Sequence, residues 1–523
     1  MARLSLPRSR PLRVLTVAGG LVGAFVVLVT GVVVWLYGRA DTSNVGDLTF
    51  ATELAIPPLA EPRVEPDGTK VFDLRFRTGR THLRGDDEPA SDTWGLNGTY
   101  LGPTLRASRG DRVRVDVTND AGETTTLHWH GMHLPARMDG GPHQAVEPGA
   151  TWSPEWAVDQ PAATLWYHPH LHGATADQVY RGAAGLFLLD DPDPAAAAVA
   201  EALPHTYGVD DIPLIVQDKA FEDAGGLADR TQVFSNLGTM GDEILVNGTH
   251  DPHVVVTTEL VRFRVLNASN ARVYRLGFTD GRPFSLVGTD GGLLDAPAEL
   301  ERLQLSPGER AEIVVAVEPG DRAVLRSFAP DLGGFAPLER FYGGDDTFDL
   351  LQLRAADDLA PSTPLPERLA DVDRPDPADA TTTRTFRLSG TSINGRSMDM
   401  DRVDHEVRRG DVEVWEITNE DGFPHSFHPH LVSFAVLEVG GDAPPPELSG
   451  WKDTVYVPPG ETVRVIARFD GEADATTPFM FHCHVLRHED EGMMGQFTLV
   501  DGDGDGDGAG GDGPAARPHP HQH

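Results

Sequence analysis

Cysteine and basic residues are both scarce in this chain of 523 residues. Its single cysteine, Cys483, excludes an intramolecular disulfide. Only 43 Lys and Arg residues stand against 80 Asp and Glu residues, and the formal net charge is −37. A charge of this sign repels phosphates, so the composition argues against a nucleic-acid partner. The length predicts about three domains.

Charge is also absent from one long stretch near the N-terminus. Residues 14–37 carry no charged side chain and are mostly apolar. The segment is long enough to span a bilayer with some tilt. Four arginines within residues 1–13 favour a cytoplasmic N-terminus. The sequence therefore predicts a single-pass cell-membrane protein whose remaining domains lie outside the cytoplasm. A cleaved signal segment, which would leave a secreted protein, is the alternative.

The body of the chain repeats similar features three times. Each unit contains an Asn-Gly pair: Asn97-Gly98, Asn247-Gly248 and Asn394-Gly395. Alternating apolar runs follow, and such runs bounded by Gly, Pro and Asn are typical of antiparallel strands. We therefore expect an all-β fold of three similar Greek-key sandwiches at 48–191, 205–355 and 382–501. The Asp-, Gly- and His-containing tail, residues 502–523, is predicted to be disordered.

Histidine is concentrated in four short motifs of the two outer units. They are His128-Trp129-His130, His168-Pro169-His170, His428-Pro429-His430 and His482-Cys483-His484. Side chains two residues apart on a strand share a face, so each motif offers two imidazoles on one side. The set is large enough for three copper ions bridged by oxygen. A single His-x-His motif is more often incidental, and a structural zinc ion needs only four ligands, so the number of motifs favours copper.

The cysteine lies inside the last of these motifs. His488 follows five residues after Cys483, and Met493 follows ten residues after it. A thiolate, an imidazole and a thioether form the ligand set of an electron-transfer copper site. On a strand Cys483 faces away from His482 and His484, so it can hold a separate copper while its neighbours hold the cluster.

In these motifs the chain resembles the three-domain multicopper oxidases. The similarity is greatest to the bacterial laccases, cuprous oxidases and spore-coat laccases, and it extends over residues 48–501. The segments that carry it are HCHVLRHEDEGMM, GWKDTVYVPPGETV and SINGRSMDM, at 482–494, 450–463 and 392–400. The resemblance implies three cupredoxin-like (plastocyanin-like) domains, the middle one without copper ligands, and four copper ions per chain.

The resemblance also implies which residues bind copper. A type 1 copper would be held by His425, Cys483 and His488, with Met493 rather than Met494 as the axial ligand. The remaining ligands hold a type 2 copper (His128 and His428) and the two type 3 ions (His130, His168 and His484 on one; His170, His430 and His482 on the other). His133 and His172 fall outside this pattern.

Two acidic residues match proton-relay positions of the family. Asp139 lies nine residues after His130, and Glu489 follows His488 directly. The resemblance implies that Asp139 serves the type 2 side and Glu489 the type 3 side. The alternative for each residue is a surface carboxylate without a role in proton transfer. The geometry of the site decides between the two roles.

The expected reaction is oxidation of a reducing substrate coupled to reduction of dioxygen to water. We expect the substrate to dock near His425 and His488, with their ring edges toward the surface. Only nine methionines occur in the chain. A dedicated site for Cu(I) as substrate would be expected to have a methionine-bearing segment just before His425, and Phe423 stands there instead. Phenols or aromatic amines are therefore preferred, with Cu(I), Mn(II) or Fe(II) as the alternative. Non-catalytic copper binding, or a structural role as in fold members that have lost copper ligands, is a further alternative.

Overall fold

A computed structural model describes residues 10–222, 225–228 and 235–502, with only the backbone described for residues 10–20 and 22. Residues 1–9 and the predicted tail from residue 503 lie outside the described part. Five helices are present there: α1 (Arg10–Tyr37), α2 (Thr175–Tyr180), α3 (Pro194–Ala202), α4 (Ala336–Glu339) and α5 (Leu486–Asp490). The described 3-10 turns are Ala136–Met138, Arg340–Tyr342, Pro377–Asp379 and Pro446–Leu448.

Helix α1 contains the segment predicted to cross a membrane. Among the residues that the structure describes, none of the helices combines the length and the apolar character of a membrane span. The segment lies in a helix, and the membrane span stays a prediction.

The first part of the body forms two packed sheets, which we call the N-terminal sheets. Their strands are β2 (Arg63–Val64), β3 (Lys70–Thr81), β4 (Ser91–Leu96), β5 (Leu105–Ser108), β6 (Arg112–Asn119), β7 (His128–His130), β8 (Thr151–Trp152), β9 (Glu155–Ala157), β10 (Ala163–His168) and β11 (Gly185–Asp190). One sheet has the order β2-β3-β6-β8, with β4 on β3 and β9 on β6, and the other has the order β5-β11-β10-β7. Their inward-facing apolar side chains form one core cluster around Phe72, Trp129 and Phe187.

The middle sheets are larger. Their strands are β1 (Thr52–Glu53), β12 (Asp211–Lys219), β13 (Glu243–Val246), β14 (Thr249–His250), β15 (Pro252–Thr258), β16 (Leu260–Asn267), β17 (Tyr274–Phe278), β18 (Phe284–Thr289), β19 (Gly292–Leu300), β20 (Leu303–Leu305), β21 (Arg310–Ala316), β22 (Arg322–Phe328) and β23 (Phe348–Ala360). The orders are β14-β13-β12-β16-β21-β18-β19 and β1-β15-β23-β22-β17-β20. Strand β1 belongs here because Thr52 pairs in parallel with Pro252, although the sequence placed residue 52 in the first unit.

The C-terminal sheets complete the body. Their strands are β24 (Thr382–Ser389), β25 (Ser392–Ile393), β26 (His405–Arg408), β27 (Val412–Asn419), β28 (His425–Pro429), β29 (Phe434–Val439), β30 (Trp451–Lys452), β31 (Val455–Val457), β32 (Thr462–Arg468), β33 (Asp474–Cys483) and β34 (Met494–Val500). The orders are β25-β24-β27-β32-β29-β30 and β26-β34-β33-β28-β31. Three pairs of sheets thus confirm the mostly β character predicted from the alternating runs.

The three Asn-Gly pairs are equivalent turns. Asn97, Asn247 and Asn394 all have positive φ, at 62°, 51° and 54°. Asparagine tolerates this region because its short polar side chain makes local hydrogen bonds. Each of the three follows a strand whose antiparallel neighbour is β3, β12 or β24, and its side chain bonds to that neighbour. Oδ1 accepts from a backbone N–H of the neighbouring strand, and Nδ2 donates to a carbonyl of the same strand. The repeat seen in the sequence is therefore a repeated turn that fixes the strand register.

Candidate metal centre

The histidine motifs lie on paired strands of two facing sheets. In the N-terminal sheets, His128 on β7 is paired with His168 on β10. In the C-terminal sheets, His428 on β28 is paired with His482 on β33. Because residues two apart on a strand share a face, both members of each motif are brought to the same side. The eight imidazoles of the four motifs are buried together between the two sheets.

One group of three imidazoles is tightly convergent. The Nε2 atoms of His170 and His482 are 3.1 Å apart, and His430 Nε2 lies 3.2 Å from the first and 3.3 Å from the second. His430 and His482 come from two motifs of the C-terminal part that are far apart in sequence. His170 comes from the N-terminal part, on the opposite side of the site. Three ring nitrogens aimed at one point form a site for a metal ion.

A second group surrounds His130. His168 Nε2 lies 3.4 Å from His130 Nδ1, and the ring of His484 is 4.9 Å from that of His130 and 5.3 Å from that of His168. His168 is oriented by its Nδ1, which donates to the carbonyl of Pro169 at 2.8 Å. Burial and the neighbouring imidazoles lower the pKa of His130 and His168 well below the usual value, so both rings are neutral and able to bind a metal.

His128 and His428 form the remaining pair. His128 donates from Nδ1 to the carbonyl of Asp139 at 2.9 Å, and His428 donates from Nδ1 to the carbonyl of Asp453 at 2.7 Å. These bonds fix the tautomer and leave both Nε2 atoms as free acceptors, which is how metal-binding histidines are held.

Glycine at position 308 lets the middle sheets approach this region. Gly308 has φ +89°, and a Cβ there would lie 2.9 Å from the ring of His484. Ser306 and Ser426 also share a hydrogen bond of 2.8 Å across the same boundary. The metal-binding groups found among the described residues include none from 205–355, in agreement with a middle unit without ligands. Its contribution is to support the rings that the outer sheets supply.

Three buried carboxylates contact the imidazoles. His430 donates from Nδ1 to Asp139 Oδ2 at 2.6 Å. Glu489 lies 3.1 Å from His482 Nδ1 and 3.4 Å from His170 Nδ1. Burial opposes ionisation of Glu489, but the two imidazoles outweigh it and lower the pKa of this carboxyl. Neither Asp139 nor Glu489 is a surface residue.

The third carboxylate, Asp453, was not identified from the sequence. His130 donates from Nε2 to its Oδ1 at 3.1 Å, and Arg310 donates to both of its oxygens at 2.6 Å. Asp453 lies in the GWKDTV segment. That segment contributed to the family resemblance but did not indicate a role for Asp453. His130 and Arg310 lie far from Asp453 in the chain, so no local sequence pattern predicts these contacts.

A separate site surrounds the cysteine. Sγ of Cys483 lies 3.4 Å from Nδ1 of His425 and 3.6 Å from Nδ1 of His488. Met493 is buried in the same core cluster, and its carbonyl accepts a hydrogen bond from the Cys483 N–H at 3.1 Å. Burial opposes ionisation of the thiol, but His425 and His488 outweigh it and lower its pKa to about 5. The thiolate, which is the metal-binding form, is thereby favoured.

The far edges of these two rings are covered. His425 donates from Nε2 to Asp421 Oδ2 at 3.1 Å, and His488 donates from Nε2 to the carbonyl of Asn236 at 3.1 Å. Both histidines have 0% exposure, so the expectation that their ring edges reach the surface is wrong. The cover is made by Asp421, Phe423 and the segment around Asn236, which packs over the cysteine from the middle part of the chain.

The donor atoms at these positions fit copper. Nε2 of His128, Nε2 of His428 and both ring nitrogens of His484 are buried without any hydrogen-bond partner in the protein. Unsatisfied buried nitrogens are costly unless something else binds them, and a metal ion does so. An all-imidazole cluster beside a thiolate, imidazole and thioether set matches the ligand preference of copper.

Comparisons with known proteins agree with this chemistry. Two sequence profiles described as "Multicopper oxidase" match residues 77–194 and 366–503. The "Multicopper oxidase mco" of Staphylococcus haemolyticus is 33% identical over 86% of this chain and 93% of its own length. The "Cell division protein FtsP" of Xenorhabdus nematophila is 36% identical over 86% of this chain and 92% of its own length.

A solved structure extends the comparison to three dimensions. The bacterial laccase-like multi-copper oxidase CueO from Ochrobactrum sp. has a TM-score of 0.77 and 37% identity, covering 86% of this chain and 100% of that one. The fold is therefore cupredoxin-like, as the resemblance implied. Site geometry, sequence profiles and full-length relatives together show that the chain belongs to the multicopper oxidase family, copper-dependent oxidases with dioxygen as electron acceptor.

Proposed function

We propose that this oxidase is laccase-like and that it oxidises phenols or aromatic amines one electron at a time. The observation that carries the proposal is the joint presence of the Cys483 site and the histidine cluster, linked by one strand. Bound copper supplies one-electron redox chemistry at the first site and the four-electron reduction of dioxygen to water at the second.

The proposed ligands follow the groups that converge. The thiolate site takes His425, Cys483 and His488, with Met493 as the axial ligand. The cluster takes the eight imidazoles as one pair and two triplets (His128 and His428; His130, His168 and His484; His170, His430 and His482). The convergence of the Nε2 atoms in the last triplet supports its assignment most directly.

Cys483 connects the two sites. It is flanked in the chain by His482 and His484, whose rings belong to the cluster, while its Sγ faces His425 and His488. Only a few covalent bonds therefore separate the thiolate from either cluster ring. This arrangement gives electrons a short path from the substrate side to the oxygen side.

Proton delivery falls to the two buried acids named from the sequence. Asp139 bonds to His430 at 2.6 Å and lies 3.5 Å from Nδ1 of His128, so it serves the side on which those rings meet. Glu489 lies between His170 and His482 on the opposite side. Reduction of dioxygen to water consumes protons, and a carboxylate within hydrogen-bond reach of the site is suited to pass them on.

The preference for organic donors rests on the cover of the thiolate site. Phe423 packs 5.2 Å from the ring of His425 and 5.6 Å from that of His488, so an aromatic surface stands over both ligands. The Ochrobactrum protein is described as having oxidase activity towards lignin model compounds and lignosulfonate.

Oxidation of a metal ion is the second candidate. It is favoured by the Asp421 carboxylate, which bonds to Nε2 of His425 and is suited to hold a cation close to the thiolate site. A purely structural role, suggested by the similarity to a cell division protein, is disfavoured because no proposed copper ligand is missing.

We also propose that α1 anchors the protein in the cell membrane with its sheets outside the cytoplasm. Apolar side chains along its described part are exposed, including Phe25 at 65%, Val27 at 72% and Val34 at 65%. An exposed apolar surface of this extent is typical of a region that contacts another apolar surface, and the lipid of a membrane is such a surface. The domain limits 48–191, 205–355 and 382–501 belong to the same proposal, except that β1 pairs with the middle sheets.

Oxygen uptake by the copper-loaded protein distinguishes the candidates. A phenol and Cu(I) are supplied separately at equal electron equivalents. Faster uptake with the phenol supports the laccase-like function, and faster uptake with Cu(I) replaces it by metal oxidation. Copper binding without oxygen uptake from either donor contradicts both.

A further inference from the structure

The outer end of α1 packs directly against the body of the protein. The ring of Tyr37 lies 6.1 Å from that of Phe341, and the guanidinium of Arg340 lies 4.9 Å above the Tyr37 ring. Arg340 also pairs with Asp41, four residues after the helix end. The short segment Arg340–Tyr342 is therefore the docking point of the helix.

The residues that follow α1 are attached to the middle sheets. Thr42 donates from its N–H to Asp346 Oδ1 at 2.7 Å and accepts from the Thr347 N–H at 3.1 Å. Asn44 and Asp349 exchange two hydrogen bonds of 3.1 and 2.7 Å. These bonds begin within five residues of the helix end, so the chain is tied to the body directly after α1.

The same docking point lies beside the thiolate site. Tyr342, next to Phe341, has its ring 6.0 Å from that of Phe423. Phe423 in turn covers His425 and His488. Aromatic side chains thus connect the end of the helix to the two imidazoles that flank Cys483, and the step from Phe341 to Tyr342 is made by chain neighbours.

An exposed apolar turn stands on this side of the molecule. Phe335, Ala336, Pro337 and Leu338 are consecutive and all exposed, with Phe335 at 68% and Leu338 at 45%. The turn is held rigidly, since Glu339 Oε1 accepts from the Gly334 N–H at 2.6 Å and the Leu338 N–H donates to the Phe335 carbonyl at 2.7 Å. Consecutive exposed apolar residues of this kind mark a contact surface.

We propose that this turn rests in the outer leaflet beside α1, so that the thiolate site faces the membrane and takes electrons from a lipid-soluble hydroquinone. Trp35, 56% exposed with Arg39 4.9 Å from its ring, completes an aromatic and basic belt typical of a membrane interface. The inference rests on the proposed function and the proposed anchor. In the reaction, two hydroquinones lose four electrons and four protons to one dioxygen, giving two quinones and two waters.

Membrane contact of the turn is tested by fluorescence quenching. Phe335→Trp and the control Val403→Trp, at a residue 44% exposed before β26, are placed in phosphatidylcholine vesicles with or without brominated acyl chains. The proposal predicts extra quenching over the unsubstituted protein for Phe335→Trp alone. Equal quenching for both variants, or none for either, overturns the membrane contact.

The donor is tested with two hydroquinones that differ only in an isoprenoid tail. Full-length, copper-loaded protein in these vesicles is compared with the Phe335→Ser/Leu338→Ser and Val403→Ser variants. We expect the double variant to oxidise the tailed donor on the order of tenfold more slowly, because two apolar contacts with lipid are lost. Oxidation of the tailless donor and the absorption of the thiolate site should change little in either variant.

The possible outcomes separate this inference from the proposed function. Selective loss with the tailed donor supports it. A double variant that oxidises both donors as fast as the unsubstituted protein overturns it, and so does an enzyme that oxidises only the tailless donor; in both cases the laccase-like function stands. Failure to oxidise either donor contradicts the proposed function as well.

Discussion

Cys483 concentrates the chemistry of the molecule in one side chain. Its Sγ faces two imidazoles, its own chain neighbours belong to the histidine cluster, and its pKa is lowered to about 5 despite burial. Substitution by serine removes the thiolate and makes the side chain only slightly smaller. Cys483→Ser should therefore keep the fold while losing the intense absorption near about 600 nm of a copper–thiolate site and all oxidase activity.

This prediction is checked by spectroscopy, circular dichroism and oxygen uptake on the same preparation. Met494→Leu is a matched control, since Met494 is equally buried but pairs opposite His482 on the neighbouring strand. A blue and active Cys483→Ser protein would refute the assignment of the thiolate site.

Asp139 tests the proton-delivery role. Asp139→Asn keeps the shape of the side chain but cannot hold the negative charge beside His430 or accept and release a proton in the same way. We expect kcat for oxygen reduction to fall by about 10² or more, with the absorption of the thiolate site unchanged. Steady-state rates over pH 5–8, with absorbance as the check on the Cys483 site, measure this; an unchanged kcat throughout would remove Asp139 from the mechanism.

At the residue scale the sequence predicted the histidines and the cysteine because their spacing matches the two-residue period of a strand. Asp139 and Glu489 were implied by the resemblance, because Asp139 lies nine residues after His130 and Glu489 directly follows His488. The sequence could not identify Asp453, because the contacts of this residue with His130 and Arg310 join three distant parts of the chain. The burial of His425 and His488 was missed for the same reason, since part of the cover comes from the segment at Asn236.

At the scale of single elements, strand register decides whether the motifs meet. The pairing of His128 with His168 and of His428 with His482 aligns two motifs side by side in each sheet. Alternation in the sequence predicts that strands exist and which side chains share a face, but not which strand neighbours which. The same limit explains β1, which follows the helix in sequence yet pairs in parallel with β15.

Strand β21 carries a buried ion cluster that joins the middle sheets to the N-terminal sheets. Glu312 accepts hydrogen bonds from Thr164 Oγ1 at 2.5 Å and from Arg264 Nη1 at 2.9 Å, and it pairs with Arg262. Burial opposes ionisation of Glu312, but Arg262 and Arg264 outweigh it and lower its pKa to about 2. The ionised carboxylate is therefore the form that the folded protein stabilises.

The sign of the resulting pH dependence follows from this lowered pKa. The contribution of Glu312 to stability is complete above its ordinary pKa of 4.5 and is lost as the pH falls toward about 2. Glu312→Gln should lower the free energy of unfolding at pH 7 by about 3–5 kcal/mol, because two arginines lose a buried partner. Thermal unfolding between pH 7 and pH 3 should then show a smaller loss of Tm for the variant than for the unsubstituted protein; parallel curves would contradict the assigned pKa.

At the scale of the whole molecule, the outer sheets supply the proposed ligands and the middle sheets hold them. Gly308 lies against the ring of His484, Arg310 donates to Asp453, and Ser306 bonds to Ser426, which follows His425 in the chain. The repeat pattern predicted three similar units, and the absence of ligands from the second predicted its supporting role. The sequence could not predict that the thiolate site lies near the end of α1. The two are connected through Phe341 and Tyr342, which are distant in the chain from both.

The central claim is that one chain couples a thiolate copper site to a cluster that reduces dioxygen completely. The most direct measurement is the ratio of oxygen consumed to hydroquinone oxidised by the copper-loaded protein, with peroxide assayed in the same solution. The account predicts one dioxygen for every two hydroquinones and no accumulated peroxide. One dioxygen per hydroquinone with stoichiometric peroxide, from protein with its full copper content, would contradict it.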